Sequence, residues 1–203
     1  VCPKSLLTNW HRELAKWFLG MKDEMGKFTS EVAGKTFPDT DIVIMNYERL
    51  VKFKKAIADR EWDVLICDEA HYLKNPEAKR TCAVMGGKGM RPIRAKKRIF
   101  ITGTPVENRP AELWPIVHSL APDVFPSWKQ FAFVFCGAYY DNFGLNSKGS
   151  SNLDLLNTML RETIMIRRRK DKVLKDLPPK FRREIWLDAD REMRRSASKE
   201  MYT

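Results

Sequence analysis

Short apolar runs alternate with helically spaced ones along the first hundred residues. Val64-Leu65-Ile66-Cys67 is unbroken and apolar, the pattern of a strand buried on both faces of a parallel sheet. Ile42 to Met45 and Ile99 to Ile101 read the same way, and Val1-Cys2-Pro3 reads as the last turn of another strand. Between them, Leu6, Leu7, Trp10, Leu14, Trp17 and Phe18 recur at helical spacing, from Ser5 as N-cap to Gly20 as terminator. Those leucines and both tryptophans are expected in the core. Leu50, Phe53 and Ile57 predict a further helix. Strand, helix, strand, helix, strand is the βαβ pattern, so the expected class is α/β.

From Ala111 to Pro179 the spacing turns helical. Leu113, Trp114, Val117 and Leu120 share a face, Ser127 can cap a helix from Trp128, and Ser151 or Asn152 can cap one carrying Leu153, Leu156, Leu160 and Ile164. Tyr139 to Ser151, rich in Gly, Asn and Ser, reads as the loosest stretch. Pro178-Pro179 stops the last of these helices, Glu184 to Leu187 alternates like a strand, and Arg191 to Tyr202 starts another helix.

Composition narrows the class of partner. The 203 residues are 43% hydrophobic and carry a net charge of +11, enough for one good-sized core and an excess that points to a polyanion, most simply nucleic acid. Glu77 to Arg98 holds eight basic residues against one acid, and Arg161 to Arg183 holds ten against three, centred on Arg167-Arg168-Arg169-Lys170. Each is either a DNA-facing surface or a solvated face. Four scattered cysteines and three histidines show no metal-ligand spacing, so free thiols in a reducing compartment are expected. No leader is visible and no apolar run approaches the roughly 20 residues that span a bilayer, so the expectation is a soluble intracellular protein without a membrane partner. Valine as first residue suggests a piece of a longer chain.

The chemistry concentrates at strand ends. Asp68-Glu69 follows the Val64–Cys67 run at once, where open α/β sheets bind ligands. Asp68 is a candidate Mg²⁺ ligand and Glu69 a candidate base for an attacking water; the plain alternative is an acidic turn beside a structural histidine, His71. Thr102-Gly103-Thr104-Pro105 closes the next strand, thirty-four positions on, far enough for one helical crossover. Its hydroxyls could bond the acidic pair or a γ-phosphate. Lys4 and Ser5 sit where a helix opens after a strand and can meet a phosphate, and Asn46 and Tyr47 lie at a strand end on the same edge. Gly34-Lys35-Thr36 is not a phosphate loop: Thr29 stands where GxxxxGK[ST] needs glycine, and Pro38 follows where a helix should run. Gly86-Gly87-Lys88-Gly89 reads as a helix end, since no strand leads into it.

Taken together, P-K-S-L-L-T-N-W-H-R-E-L, N-Y-E-R-L, D-E-A-H-Y-L-K-N, T-G-T-P-V-E-N and I-M-I-R-R-R-K-D-K-V-L-K-D-L-P-P-K resemble successive motifs of the Swi/Snf-like DNA translocases, DEAH-box type, of helicase superfamily two. R-P-A-E-L-W and G-S-S-N-L-D-L-L further resemble the distal branch containing the annealing helicases. The resemblance implies a RecA-like parallel-sheet lobe, truncated before its phosphate-loop strand, with a helical insertion. Its implied boundaries are 1–110 for the partial lobe, 111–182 for a helical protrusion, and 183–203 for a linker toward a second ATPase lobe. It implies ATP and Mg²⁺ as cofactors and double-stranded DNA as partner, with a chromatin or replication and repair partner beside it, and a location in the cytoplasm or nucleoid of a prokaryote or the nucleus of a eukaryote. Asp68 would match the metal-binding carboxylate and Glu69 the catalytic one, while His71, Thr102, Gly103 and Thr104 would couple nucleotide state to DNA. Lys4, Ser5, Asn46, Tyr47, Lys74, Arg167, Arg168, Arg169 and Lys170 would contact nucleic acid. Two positions depart from the pattern: Glu107 stands where many relatives carry glutamine, and Asn46 where many carry serine or threonine.

The family's phosphate loop precedes the P-K-S-L motif and would lie upstream of Val1, with the second lobe beyond Thr203. This chain alone is therefore expected to be inactive toward ATP. A non-catalytic basic DNA-binding module and another superfamily-two nucleic-acid enzyme are the rival readings.

Overall fold

A computed structural model describes residues 1–18, 22–23, 26–106, 108–168 and 183. The chain divides into Val1–Ile166 and Arg167–Thr203. Gly20, Glu107, Arg169, Lys170, Pro178, Pro179, the Glu184–Leu187 strand and the Arg191–Tyr202 helix, all expected from the sequence, lie outside the described residues.

In Val1–Ile166 a 3-10 turn, Lys4–Leu6, runs directly into α1, Leu7–Phe18. Ser5 is thus inside the first turn and makes no capping bond, because the helical winding begins one residue earlier than the spacing of apolar positions suggests. Two short strands, β1 (Lys22–Asp23) and β2 (Gly26–Lys27), pair antiparallel. β3 (Ser30–Val32) pairs parallel with β4 (Ile42–Ile44), and the Asp41 carboxylate ties the two starts by accepting from the Thr29 amide (2.8 Å) and hydroxyl (2.7 Å). These two bonds hold the Asp41 carboxyl below its usual pKa. Two short helices follow, α2 (Arg49–Lys52) and α3 (Lys54–Ala58), then β5 (Trp62–Asp68), α4 (Lys79–Met85) and β6 (Ala95–Ile101), the last parallel to β5.

The first two residues join these pairs into one sheet. Cys2 N donates to Met45 O at 3.0 Å, while the Val1 ammonium donates to Ile66 O at 2.7 Å and Asp68 N to Val1 O at 2.8 Å. Val1–Cys2 therefore lies between β4 and β5, and the order is β3, β4, Val1–Cys2, β5, β6. Among the described residues β6 pairs with β5 alone.

One face of the sheet carries a core in which Tyr47, Leu50, Leu65, Cys67, Leu73 and Val84 are buried, Leu65 and Cys67 from an apolar run as expected. The other face differs from expectation. β5 alternates, with Leu65 and Cys67 buried but Val64 44% exposed, and Ile99 and Ile101 of β6 are 46% and 41% exposed. The reason is the position of α1, which packs on β3 and β4 and leaves the β5–β6 face largely uncovered. An apolar cleft of about 490 Å³ follows, lined by Trp10, Leu14, Phe18, Val43, Val64 and Ile66. Trp17 likewise departs from its expected burial: it is 70% exposed, its indole N–H donating to Glu13 at 3.1 Å.

A second core forms around α5 (Trp114–Leu120), α6 (Trp128–Phe135) and α7 (Leu153–Thr163), with Leu113, Val117, Phe131, Phe135, Leu156 and Leu160 buried. Ser127 caps α6 as expected, accepting from Gln130 N at 3.2 Å. Asn152 and Ser151 do not cap α7; both side chains donate to Val134 O at 2.8 Å, lashing the helix start to the end of α6. The stretch read as loosest holds a hairpin, β7 (Tyr139–Asp141) with β8 (Gly144–Asn146). α4 ends at Gly86, whose φ of +88° no β-carbon tolerates well, so the glycine run marks a helix end.

Candidate functional site

β5 and β6 run parallel in a register that sets Asp68 beside Ile101, so Glu69 and Thr102 leave the sheet side by side. At this edge the chain turns sharply: Glu69 has φ +51°, a left-handed conformation that costs an L-residue about 1–2 kcal/mol. The turn throws the Glu69 side chain, 40% exposed, outward and sends Ala70–Leu73 into a 3-10 turn. His71 on that turn reaches back. Its Nδ1 lies 3.2 Å from Glu69 Oε2 and 3.4 Å from Thr102 Oγ1, and Thr102 Oγ1 itself accepts from Thr104 N at 3.1 Å. The carboxylate and the hydroxyl oxygen both face Nδ1, so that nitrogen is assigned as the donor. The histidine thus spans the two strand ends.

Asp68 is held more tightly. Its Oδ2 accepts from the Trp10 indole N–H at 2.7 Å and its Oδ1 from Glu69 N at 3.0 Å, while its carbonyl accepts from the Tyr47 hydroxyl at 2.7 Å. Each carboxylate oxygen has a second lone pair, so the group stays oriented and able to accept more. Among the described residues no cluster of three or more His, Cys, Asp or Glu could cage a metal. Asp68, one oriented carboxylate with lone pairs to spare, fits Mg²⁺, which takes one or two carboxylates and completes its shell with water and phosphate oxygens.

The remaining candidates separate. Lys4 and Ser5 are exposed at the start of the first helical turn, Gly103 and Thr104 are exposed beyond β6, and Lys74 closes the 3-10 turn with its N–H on His71 O. Arg167 and Arg168 are exposed. Asn46 and Tyr47, expected to face a DNA backbone, are buried, at 5% and 0% exposure. Tyr47 spends its hydroxyl on Asp68 and stacks on Tyr72 at 5.3 Å and 6°; burial among acidic neighbours raises its pKa. Asn46 Oδ1 is buried with no hydrogen-bond partner among the described residues. Tyr47 thus supports the backbone of the acidic box from within the core.

The basic stretch from Glu77 to Arg98 is also partly structural. Arg80 donates Nε to Tyr72 O at 2.6 Å with its guanidinium over the Tyr72 ring, and Arg98 donates to Ser119 Oγ at 2.7 Å and Ile93 O at 3.2 Å. Lys88 pairs with Glu77, and Lys96 pairs with Asp63 at 2.7 Å, lowering the Asp63 pKa and raising its own. Trp10, Tyr72 and Arg80 thus bear on the site although sequence reasoning did not find them. Only Trp10 carried a signal, as the polar-edged aromatic of a helix leaving the same sheet edge.

Known proteins resemble this chain. The SNF2-related domain family matches residues 1–201. The SWI/SNF-related matrix-associated actin-dependent regulator of chromatin subfamily A-like protein 1 of Xenopus tropicalis is 34% identical over 188 residues, 91% of this chain and 19% of the relative. The DNA annealing helicase and endonuclease ZRANB3 of Bos taurus is 33% identical over 199 residues, 93% of this chain and 18% of the relative. The chain therefore spans about a fifth of the length of these relatives. The solved Sulfolobus solfataricus SWI2/SNF2 ATPase core in complex with dsDNA superposes with a TM-score of 0.63 at 28% identity, over 86% of this chain and 34% of that one. Among the described residues no helix is long and apolar enough to cross a membrane. Because the match takes in the acidic box, the Thr-Gly-Thr turn and the strands that bring them together, the chain belongs to the SNF2-related domain family.

Proposed function

We propose that this chain forms part of the first ATPase lobe of an ATP-dependent double-stranded DNA translocase that works inside the cell. The observation that carries the reading is His71, bridging Glu69 and Thr102 from one strand end to the next. Hydrolysis needs a carboxylate that orients water, and movement needs that event to be felt at the DNA; one imidazole touching both groups is a direct mechanical link.

Asp68, fixed by Trp10 and by its own turn, would hold Mg²⁺. When bound, the ion would neutralise phosphate charge. Glu69, more exposed, accepts a proton from the attacking water. His71 donates to Glu69 and keeps its carboxylate turned toward the sheet edge. Thr102 shares the same N–H, so a shift of the Thr102–Thr104 turn alters the hold on Glu69. Lys4, Ser5, Lys74, Arg167, Arg168, Arg169 and Lys170 are proposed to meet DNA phosphates, a role that their charge and hydroxyls suit.

The test is Glu69→Gln in the full-length protein. Nucleotide binding should persist while DNA-stimulated ATP turnover falls by at least a hundredfold. Undiminished turnover would remove Glu69 from the mechanism, and a full-length wild type without DNA-stimulated turnover would leave a DNA-binding module.

A further inference from the structure

We infer that the β7–β8 hairpin is a base-stacking wedge, with Phe143 at its tip taking an unpaired nucleobase where a DNA duplex opens. The inference rests on the double-stranded DNA reading above. Phe143 is 100% exposed, and Tyr139, Tyr140 and Phe133 below it are 58%, 62% and 42% exposed. Phe133 of α6 and Tyr140 of β7 pair at 5.9 Å between ring centroids while both stay exposed, and aromatic surface left in water here, with Phe143 at the turn, marks a binding surface.

The hairpin is built to hold them out. An isolated two-stranded ribbon is marginal in water, so its base must be secured. Gly137 N donates to Ser151 Oγ at 2.9 Å, Ser151 N donates to Phe135 O at 2.9 Å, and Gly149 packs so closely on the Cys136 carbonyl that a β-carbon would sit 3.0 Å from it. At the tip, Asp141 accepts from Phe143 N at 2.8 Å and from Asn146 Nδ2 at 3.2 Å, fixing the turn. That leaves the acid engaged within the hairpin.

The chemistry favours a nucleobase over an apolar protein surface. Exposed cations lie at this surface: Lys129 Nζ is 5.6 Å from the Tyr140 ring centroid, and Lys148 follows β8. π-faces for bases with ammonium groups for the adjoining phosphates are the pairing used for single strands, and an inserted apolar ring unstacks a base step.

The experiment compares binding of the full-length protein to a blunt duplex and to a forked duplex of equal length by fluorescence anisotropy. Phe143→Ala should weaken fork binding about tenfold and blunt-duplex binding less than twofold, while Phe143→Trp restores the fork. A 5-iodouracil at the first unpaired position should photo-cross-link to the peptide containing Phe143. Equal binding of both DNAs by wild type and Phe143→Ala, or cross-linking elsewhere, overturns the wedge while leaving duplex binding intact. No binding of either DNA by wild type overturns the DNA reading itself. Wild-type dimers in light scattering that Phe143→Ala dissolves would assign the patch to a second copy and overturn the proposal. Full exposure of Phe143 means these variants fold as the wild type does.

Discussion

The indole N–H of Trp10 donates to Asp68 Oδ2 at 2.7 Å across 58 residues of sequence. A neutral donor on a carboxylate is a charge-assisted bond, shorter and roughly twice as strong as a neutral pair. It fixes one oxygen of Asp68 while Glu69 N fixes the other, so the group proposed to hold Mg²⁺ has its rotamer set in advance. Trp10→Phe in the full-length protein keeps the ring and loses the donor. The apparent Mg²⁺ requirement of ATP turnover should rise about tenfold, from about 1.5 kcal/mol of lost orientation. A Mg²⁺ titration superposable on wild type would show that the bond does not position Asp68.

His71 and Thr102 form a unit with Glu69, so their effects should not add. His71→Ala is expected to bring DNA-stimulated turnover close to the basal rate while nucleotide affinity changes less than twofold. Once His71 is gone, Thr102→Val should cost little more. A double-mutant cycle on stimulated turnover reads this directly, and strict additivity would mean that the two side chains act separately.

DNA affinity should fall steeply with salt, since each phosphate contact contributes about 0.9 to the slope of log affinity against log salt. The inward basic residues give this prediction its edge. Lys4→Ala should reduce the slope by about one, whereas Arg80→Ala should leave the slope unchanged and lower the melting temperature, because Arg80 is spent on Tyr72. A smaller slope with unaltered melting for Arg80→Ala would put that residue on DNA instead.

Burial pushes the Cys67 thiol from 9.0 up to about 11. The unfolded chain releases this proton near its ordinary value and the folded chain holds it longer, so the stabilising effect is complete below pH 9 and lost as pH climbs through 11. A two-unit gap corresponds to roughly 2–3 kcal/mol. Cys67→Ala should flatten the alkaline fall in urea-measured stability between those limits, and an identical fall in the variant would place its cause elsewhere. Burial also raises the Cys136 thiol to about 11, so the native protein should resist alkylation at that residue at pH 8 until it unfolds.

Several features were readable from residue order because their causes are local. The apolar runs Ile42–Met45, Val64–Cys67 and Ile99–Ile101 lie in or overlap the strands Ile42–Ile44, Trp62–Asp68 and Ala95–Ile101, Ser127 capped its helix, and Gly86 ended one. Spacing also placed Asp68-Glu69 and Thr102 at strand ends, from which a parallel sheet brings them together whatever the packing around it. Short strands with little patterning, β3 and the β7–β8 hairpin, escaped notice, since two or three residues carry no period to detect.

What the amino-acid order determined by itself was therefore the α/β class, the acidic pair and its threonine neighbour, all consequences of side-chain alternation and of turn chemistry within a few residues. Only the tertiary structure decided that Trp10 grips Asp68 while Trp17 meets water, that Tyr47 is sealed beneath the acidic box, and that Arg80 and Arg98 turn inward. Those outcomes depend on which face of one element meets another far along the chain. A helix whose leucines and aromatics are spread over several turns is compatible with several such faces, and packing against β3 and β4 selects one.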